Sequence, residues 1–156
     1  MTATVTEGDR APAFKLAREG GEFTTLASLK GKKVVLYFYP KDDTSGCTKE
    51  AIAFNALRKD FESVGAVILG VSPDSLASHA KFSKKYDLDL ILLSDETKAM
   101  LEAYGVWVEK SMYGRKYMGV ERTTVLIDER GKIARIWNRV KVDGHAEQVL
   151  QATQAI

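Results

Sequence analysis

A chain of 156 residues with one cysteine and two histidines has few ways to do covalent chemistry. A single cysteine excludes an internal disulfide framework and any thiolate-rich metal centre. With only His79 and His145 available, a histidine-based zinc site is not expected, and no metal or cofactor is implied. What is left is the thiol of Cys47. It lies in Tyr37-Phe-Tyr-Pro40-Lys-Asp-Asp-Thr44-Ser-Gly-Cys47-Thr-Lys-Glu50: an apolar run, a stop at proline, a polar loop, then residues with helical spacing. Backbone N–H groups in the first turn of a helix lack intrahelical partners, and the helix dipole favours negative charge there. Both effects favour a thiolate over a thiol, and the thiolate is the nucleophile. A lone cysteine is commonly a small buried hydrophobe on an apolar stripe. Cys47 is expected to stand off that stripe, beside Thr44 and Gly46, and to act as a nucleophile.

The elements that must position this sulfur follow from period and punctuation. Val34 to Tyr39 is apolar on both faces, the pattern of a central strand covered on both sides, and it ends at Pro40. A helix is expected from about Cys47 to Ser63, with Ala51, Phe54, Leu57 and Phe61 forming its buried stripe. Ala66 to Val71 reads as a second buried strand. Ser75 to Tyr86 reads as a helix capped by Ser75 or Asp74. Leu90 to Leu93 is a short strand, and Glu96 to Tyr104 a helix. Ala13–Leu16 with Glu22–Thr24 suggests an N-terminal β-hairpin, and Leu26–Leu29 one helical turn. Thr123–Ile127 and Lys132–Trp137 flank a hairpin turn, and Gly144 to Ala155 is an amphipathic closing helix. Val106 to Gly119 shows no clear period and reads as a long loop. Together these give an α/β chain of one domain, residues 1–156, with a mixed central sheet and helices on both faces. The order resembles an elaborated thioredoxin fold.

Pro40-x-x-x-Thr44-x-x-Cys47 resembles the active-site motif of the peroxiredoxins. The string YFYPKDDTSGCTKEA is similar to the subgroup called peroxiredoxin Q or bacterioferritin comigratory protein. So are GDRAPAF, ILGVSPDS, LLSDE, MYGRKYMGVERTTVLIDERG and VKVDGHAEQVL, which extend the likeness over nearly the whole chain. The resemblance implies a peroxide-reducing enzyme. In it Cys47 is the cysteine that attacks the peroxide and becomes a sulfenic acid. It implies that Thr44 bonds the peroxide oxygens, that Pro40 shields the site from water, and that Arg122 stabilises thiolate and transition state. Glu50 would orient that arginine. Taken singly, each has a plainer role: Thr44 a cap, Pro40 a strand terminator, Arg122 and Glu50 solvated surface groups. Lys41, Asp42 and Asp43 read as solvated loop, His79 and His145 as surface or cap residues. Trp107 and Trp137 read as packing, and Tyr113–Tyr117 is a candidate pocket rim.

The chain departs from the subgroup in one respect. Many members carry a second cysteine five positions after the first, where Ile52 stands here, or on the next helix, near Phe82-Ser83. A one-cysteine cycle is therefore implied, with thioredoxin, glutaredoxin or a small thiol as external reductant. Two rivals compete with the peroxidase. A cysteine hydrolase needs a base beside the nucleophile, and neither histidine sits in such a motif. A non-enzymatic redox sensor shares the reactive sulfur and differs only in turnover. A net charge of +2 gives no reason to expect nucleic acid, and no run approaches the roughly 20 apolar residues that span a membrane. Met1 to Glu7 lacks the pattern of a secretory signal, and a free cysteine suits a reducing compartment, so cytoplasm is expected. The subgroup likeness implies a monomer.

Overall fold

In a computed structural model, residues 5–156 are described. The apolar run becomes β3 (Lys33–Phe38), buried at every position. Its alternate residues serve two cores. Val34, Leu36 and Phe38 join one cluster, and Val35 and Tyr37, with Tyr39 just beyond the strand, join the other. β3 pairs in parallel with β4 (Ala66–Ser72), which pairs in parallel with β5 (Ile91–Ser94). On its other side β3 pairs antiparallel with β8 (Thr123–Ile127), and β8 with β9 (Ile133–Trp137). The N-terminal hairpin, β1 (Lys15–Arg18) and β2 (Phe23–Thr25), extends the sheet beyond β5. The order is β2-β1-β5-β4-β3-β8-β9, a mixed sheet as expected.

Helices cover both faces. α1 (Ser45–Ala56), α2 (Arg58–Ser63), α3 (Leu76–Tyr86) and α5 (His145–Gln154) place Ala51, Phe54, Phe61, Phe82, Ala146 and Val149 in one core. α4 (Ala99–Ala103) places Met100 and Leu101 in the other. Gly70 on β4 is fixed by close approach: a Cβ there would lie 2.7 Å from Tyr37 Cζ and 2.8 Å from a Leu92 methyl. That space is taken by the Tyr37 ring, which stacks on Phe54 at 4.8 Å between centroids.

Three expectations are corrected. The helix expected from Cys47 to Ser63 is two helices. It begins two residues early, at Ser45, and breaks at Leu57, whose amide bonds to the Phe54 carbonyl three residues back. Val106 to Gly119 is not a loop but a ribbon, β6 (Trp107–Met112) and β7 (Arg115–Val120). Most of its residues are exposed on both faces, so no alternation marks it. Its two-residue turn puts both Tyr113 (φ 52°) and Gly114 (φ 77°) in the left-handed region, as a type I′ hairpin turn requires. Tyr113 stands at that tip, 98% exposed. Finally, α4 is shorter than expected, starting at Ala99 rather than Glu96.

Candidate active site

Thr44 is the N-cap of α1, with extended backbone, and the first helical bond runs from the Thr48 amide to its carbonyl at 2.8 Å. Cys47 is therefore the third helical residue, and the amides from Thr44 to Cys47 have no partner within the helix. The side chain does not stand off the apolar stripe, as expected from sequence. It is 2% exposed and belongs to the same core cluster as Ala51 and Phe54, one and two turns further on. Helix geometry forces this, because a residue four before a buried alanine shares its face.

What separates Cys47 from an inert core cysteine is Arg122. The two are 75 positions apart, yet Nη2 of Arg122 donates to Sγ at 3.3 Å. Sheet register brings them together. Phe38, the last residue of β3, pairs with Thr123, the first of β8. Arg122 thus enters the sheet where β3 hands the chain to the Pro40–Thr44 loop. Its backbone is held there by the Val140 amide, which donates to the Arg122 carbonyl at 3.0 Å. The second arm of the fork, Nη1, donates to Glu50 Oε1 at 2.6 Å. Glu50 lies three residues after Cys47, so sulfur and carboxylate share one helix face and one guanidinium.

The electrostatics are asymmetric. Burial raises the Glu50 carboxyl to about 7, against the lowering pull of Arg122. Its Oε2 is buried with no hydrogen-bond partner among the described residues, which is where a proton would sit. Burial pulls Arg122 down, but Glu50 and Cys47 more than compensate, and its value is raised. The guanidinium stays charged and interacts more strongly with a thiolate than with a thiol.

The remaining expected residues fall nearby in sequence. Pro40 is half-buried just beyond β3. Thr44 is exposed, and its hydroxyl donates to the Lys41 carbonyl at 2.8 Å. That bond uses its only proton, so toward any ligand Thr44 Oγ1 can only accept. Gly46, not singled out from sequence, packs against the arginine: a Cβ there would lie 3.1 Å from Nη2. Ile52 is 47% exposed, and Ser83 is half-buried.

Asp42, His79 and His145 are corrected. All three are buried, not solvated. Asp42 and His79 bond each other, and His145 Nε2 lies 2.8 Å from Thr124 Oγ1. Burial, then the charge of Arg122, lowers His145 to about 4. Neither histidine contacts Cys47 by hydrogen bond, so neither is placed as a base for a hydrolase. The spacing His79, Phe82, Tyr86 on α3 was the available signal that His79 lies on the inward face.

Comparison with known proteins gives the family and the fold of the chain. The AhpC/TSA family pattern matches residues 7–136. A putative peroxiredoxin bcp from Coxiella burnetii is 52% identical over 143 residues, covering 92% of this chain and 95% of that protein. Peroxiredoxin Bcp from Bacillus subtilis is 45% identical over 148 residues, 95% of this chain and 94% of that protein. Among solved structures, a cysteine-to-serine mutant of Xylella fastidiosa PrxQ superposes with a TM-score of 0.93 at 38% identity over 98% of each chain. The Xanthomonas campestris bacterioferritin comigratory protein gives 0.90 at 44% identity, also over 98% of each. By sequence and by fold, the chain belongs to the AhpC/TSA family and, within it, to the peroxiredoxin Q/Bcp proteins.

Proposed function

We propose that Cys47 is the peroxidatic nucleophile of a thiol-dependent peroxidase, acting on hydrogen peroxide and organic hydroperoxides. The observation that carries this assignment is the single guanidinium shared between Sγ, at 3.3 Å, and the Glu50 carboxylate, at 2.6 Å. The Xanthomonas campestris relative is described with alkyl peroxide reduction activity, which favours the wider substrate range. We read residues 1–156 as one peroxiredoxin domain, monomeric and cytoplasmic. No described helix is long and apolar enough to cross a membrane.

The thiolate of Cys47 attacks the terminal oxygen of R–O–OH. The S–O bond forms as the O–O bond breaks, sulfur loses two electrons, and RO⁻ departs to take up a proton as ROH. Cys47 is left as a sulfenic acid. Negative charge moves from sulfur to the leaving oxygen, so donors fixed around the sulfur serve the transition state better than the ground state. Arg122 suits this because its planar fork reaches sulfur and oxygen together. The free α1 amides add donors, and Thr44 Oγ1 accepts the peroxide O–H. Pro40 limits water at the sulfur, and Glu50 orients Arg122.

With one cysteine in the chain, no intramolecular disulfide resolves the sulfenic acid. An external thiol, R′SH, condenses with it to give Cys47–S–S–R′ and water, and a second thiol releases Cys47 and R′S–SR′. Thioredoxin, glutaredoxin and low-molecular-weight thiols are the candidate donors. Peroxide consumption over many turnovers, with each donor supplied in turn, tests this. Sustained consumption with at least one donor is expected. Stoichiometric oxidation that no donor reverses moves the protein to the redox-sensor reading.

A further inference from the structure

The peroxide step above leaves unused a second buried cluster, centred on the Pro40–Thr44 loop. Asp42 is the middle residue of that loop and is 7% exposed. Its Oδ1 accepts from the Tyr39 hydroxyl at 2.5 Å. Its Oδ2 accepts from the Ser78 hydroxyl at 2.8 Å and lies 2.7 Å from His79 Nδ1. Its amide donates to Asp74 Oδ2 at 2.8 Å, and Ser72 Oγ donates to that same oxygen. One short residue thus ties the loop to Tyr39 at the end of β3, to the segment after β4, and to α3.

The protonation of His79 follows from its partners. Nε2 lies 3.0 Å from the Leu93 carbonyl, which can only accept, so Nε2 carries a proton. Nδ1 faces a carboxylate that already accepts two hydroxyl protons, so it too is the donor. Both nitrogens carry hydrogen, and the ring is an imidazolium, 1% exposed. The ligand atoms of Asp42, Asp74 and His79 lie within 4.8 Å of one another, but the ring has no lone pair left for a cation. The cluster is saturated by its own members.

We propose that Asp42 and His79 are positioning residues for the peroxide step: their buried ion pair pins the Pro40–Thr44 loop to α3 and β5 and so sets where Thr44 and the first turn of α1 stand relative to the Cys47 sulfur. This rests on Cys47 being the reacting group. The groups facing His79 are Asp42 from the loop, Tyr39 just after β3, Asp74 ahead of α3 and the Leu93 carbonyl of β5. Arg18 and Glu19 line the same surface cleft. Burial pulls the imidazole down. The hydrogen bond and charge of Asp42, then Leu93 and Asp74, outweigh it, and its value is raised above the usual 6.5. The pin is therefore held while the ring keeps its proton and is lost as pH rises through that raised value.

The test follows oxidation of reduced protein by hydrogen peroxide, by stopped flow across pH, in wild type, His79→Gln and Asp42→Asn. The His79 ring is followed by nitrogen NMR in the same wild-type samples. Both variants are expected to react about tenfold to a hundredfold more slowly at pH 7, the scale of a misplaced catalytic group. Alkylation of Cys47 by a small neutral reagent should change little, since the sulfur and Arg122 remain. In wild type, the peroxide rate should fall as His79 loses its proton, and His79→Gln should lack that limb. The proposal is overturned if folded variants match wild type in rate and pH profile, or if NMR shows a neutral ring at pH 7. The wild-type titration decides the matter even where a variant does not fold. A wild type unreactive at Cys47 removes the peroxidase reading and this one together; a reactive wild type matched by both variants removes this one alone.

Discussion

Two buried carboxylates lie near the start of α1, Asp42 in the loop before it and Glu50 within it, and each is paired with a cation. Asp42 faces His79, and Glu50 faces Arg122. Around Asp42 both carboxylate oxygens and both ring nitrogens are satisfied. Around Glu50 they are not: Oε2 has no partner among the described residues, and Arg122 is divided between an oxygen and a sulfur. The His79 side chain is 1% exposed, whereas that of Arg122 is 17% exposed. A closed hydrogen-bond set resists change and fixes geometry, while an incomplete one keeps donors free for a substrate. The pairing motif is the same in the two places. The leftover valence separates holding a loop from doing chemistry.

The sharpest way to break this contrast is to remove the sulfur. Cys47→Ser should take up no oxygen from peroxide, seen as an unchanged intact mass after oxidant treatment. Next comes the shared donor. Arg122→Ala should slow peroxide oxidation by about 10²–10³-fold, the cost of losing one preorganised donor to developing charge. Arg122→Lys should fall between it and wild type, because a point charge cannot serve sulfur and carboxylate at once. Removing the guanidinium also removes what holds Glu50 down, so carbon NMR should find its carboxyl titrating above the value of about 7 in wild type. Gly46→Ala should slow the reaction less than Arg122→Ala, since its Cβ meets Nη2 at 3.1 Å and the fork must shift rather than vanish.

The smallest expected effects are on stability. A Glu50 carboxyl at about 7 in the folded chain, against the usual 4.5, holds a proton that the unfolded chain has released. Stability from this group therefore falls as pH rises from about 4.5 to about 7, and Glu50→Gln should remove that slope from denaturant melts. His145 acts in the opposite sense. With about 4 folded against 6.5 unfolded, it costs stability as pH falls from 6.5 toward 4, and His145→Gln should weaken that acid loss.

Legibility in the sequence follows the same line between apolar and polar burial. β3 and β4 are readable because strands covered on both faces are near-continuous apolar runs, and β8 is readable from the hairpin turn that follows it. The β6–β7 ribbon is not, because a strand exposed on both faces carries no alternation, and only Tyr113-Gly114 marks its turn. The break at Leu57 has neither proline nor glycine to announce it. Local physics singles out Cys47 as a thiol at a helix start but misplaces its side chain, which lies on the buried stripe with Ala51 and Phe54. Local physics does not reach Arg122: nothing in its own neighbourhood points to a sulfur 75 residues away, and only family resemblance singles it out. The register Phe38 with Thr123 supplies the missing link. Asp42 and His79 were misread because a buried ion pair looks, in sequence, like two surface residues.

The central claim is that the Cys47 sulfur, with the Arg122 guanidinium donating to it, reacts directly with peroxide. Rapid mixing of reduced protein with hydrogen peroxide, followed by tryptophan fluorescence and by the mass of the trapped product, measures this in a single turnover. One oxygen atom should add at Cys47, far faster than to free cysteine, with the advantage largely gone in Arg122→Ala. A wild-type rate equal to that of free cysteine, or one untouched by loss of the guanidinium, contradicts the account.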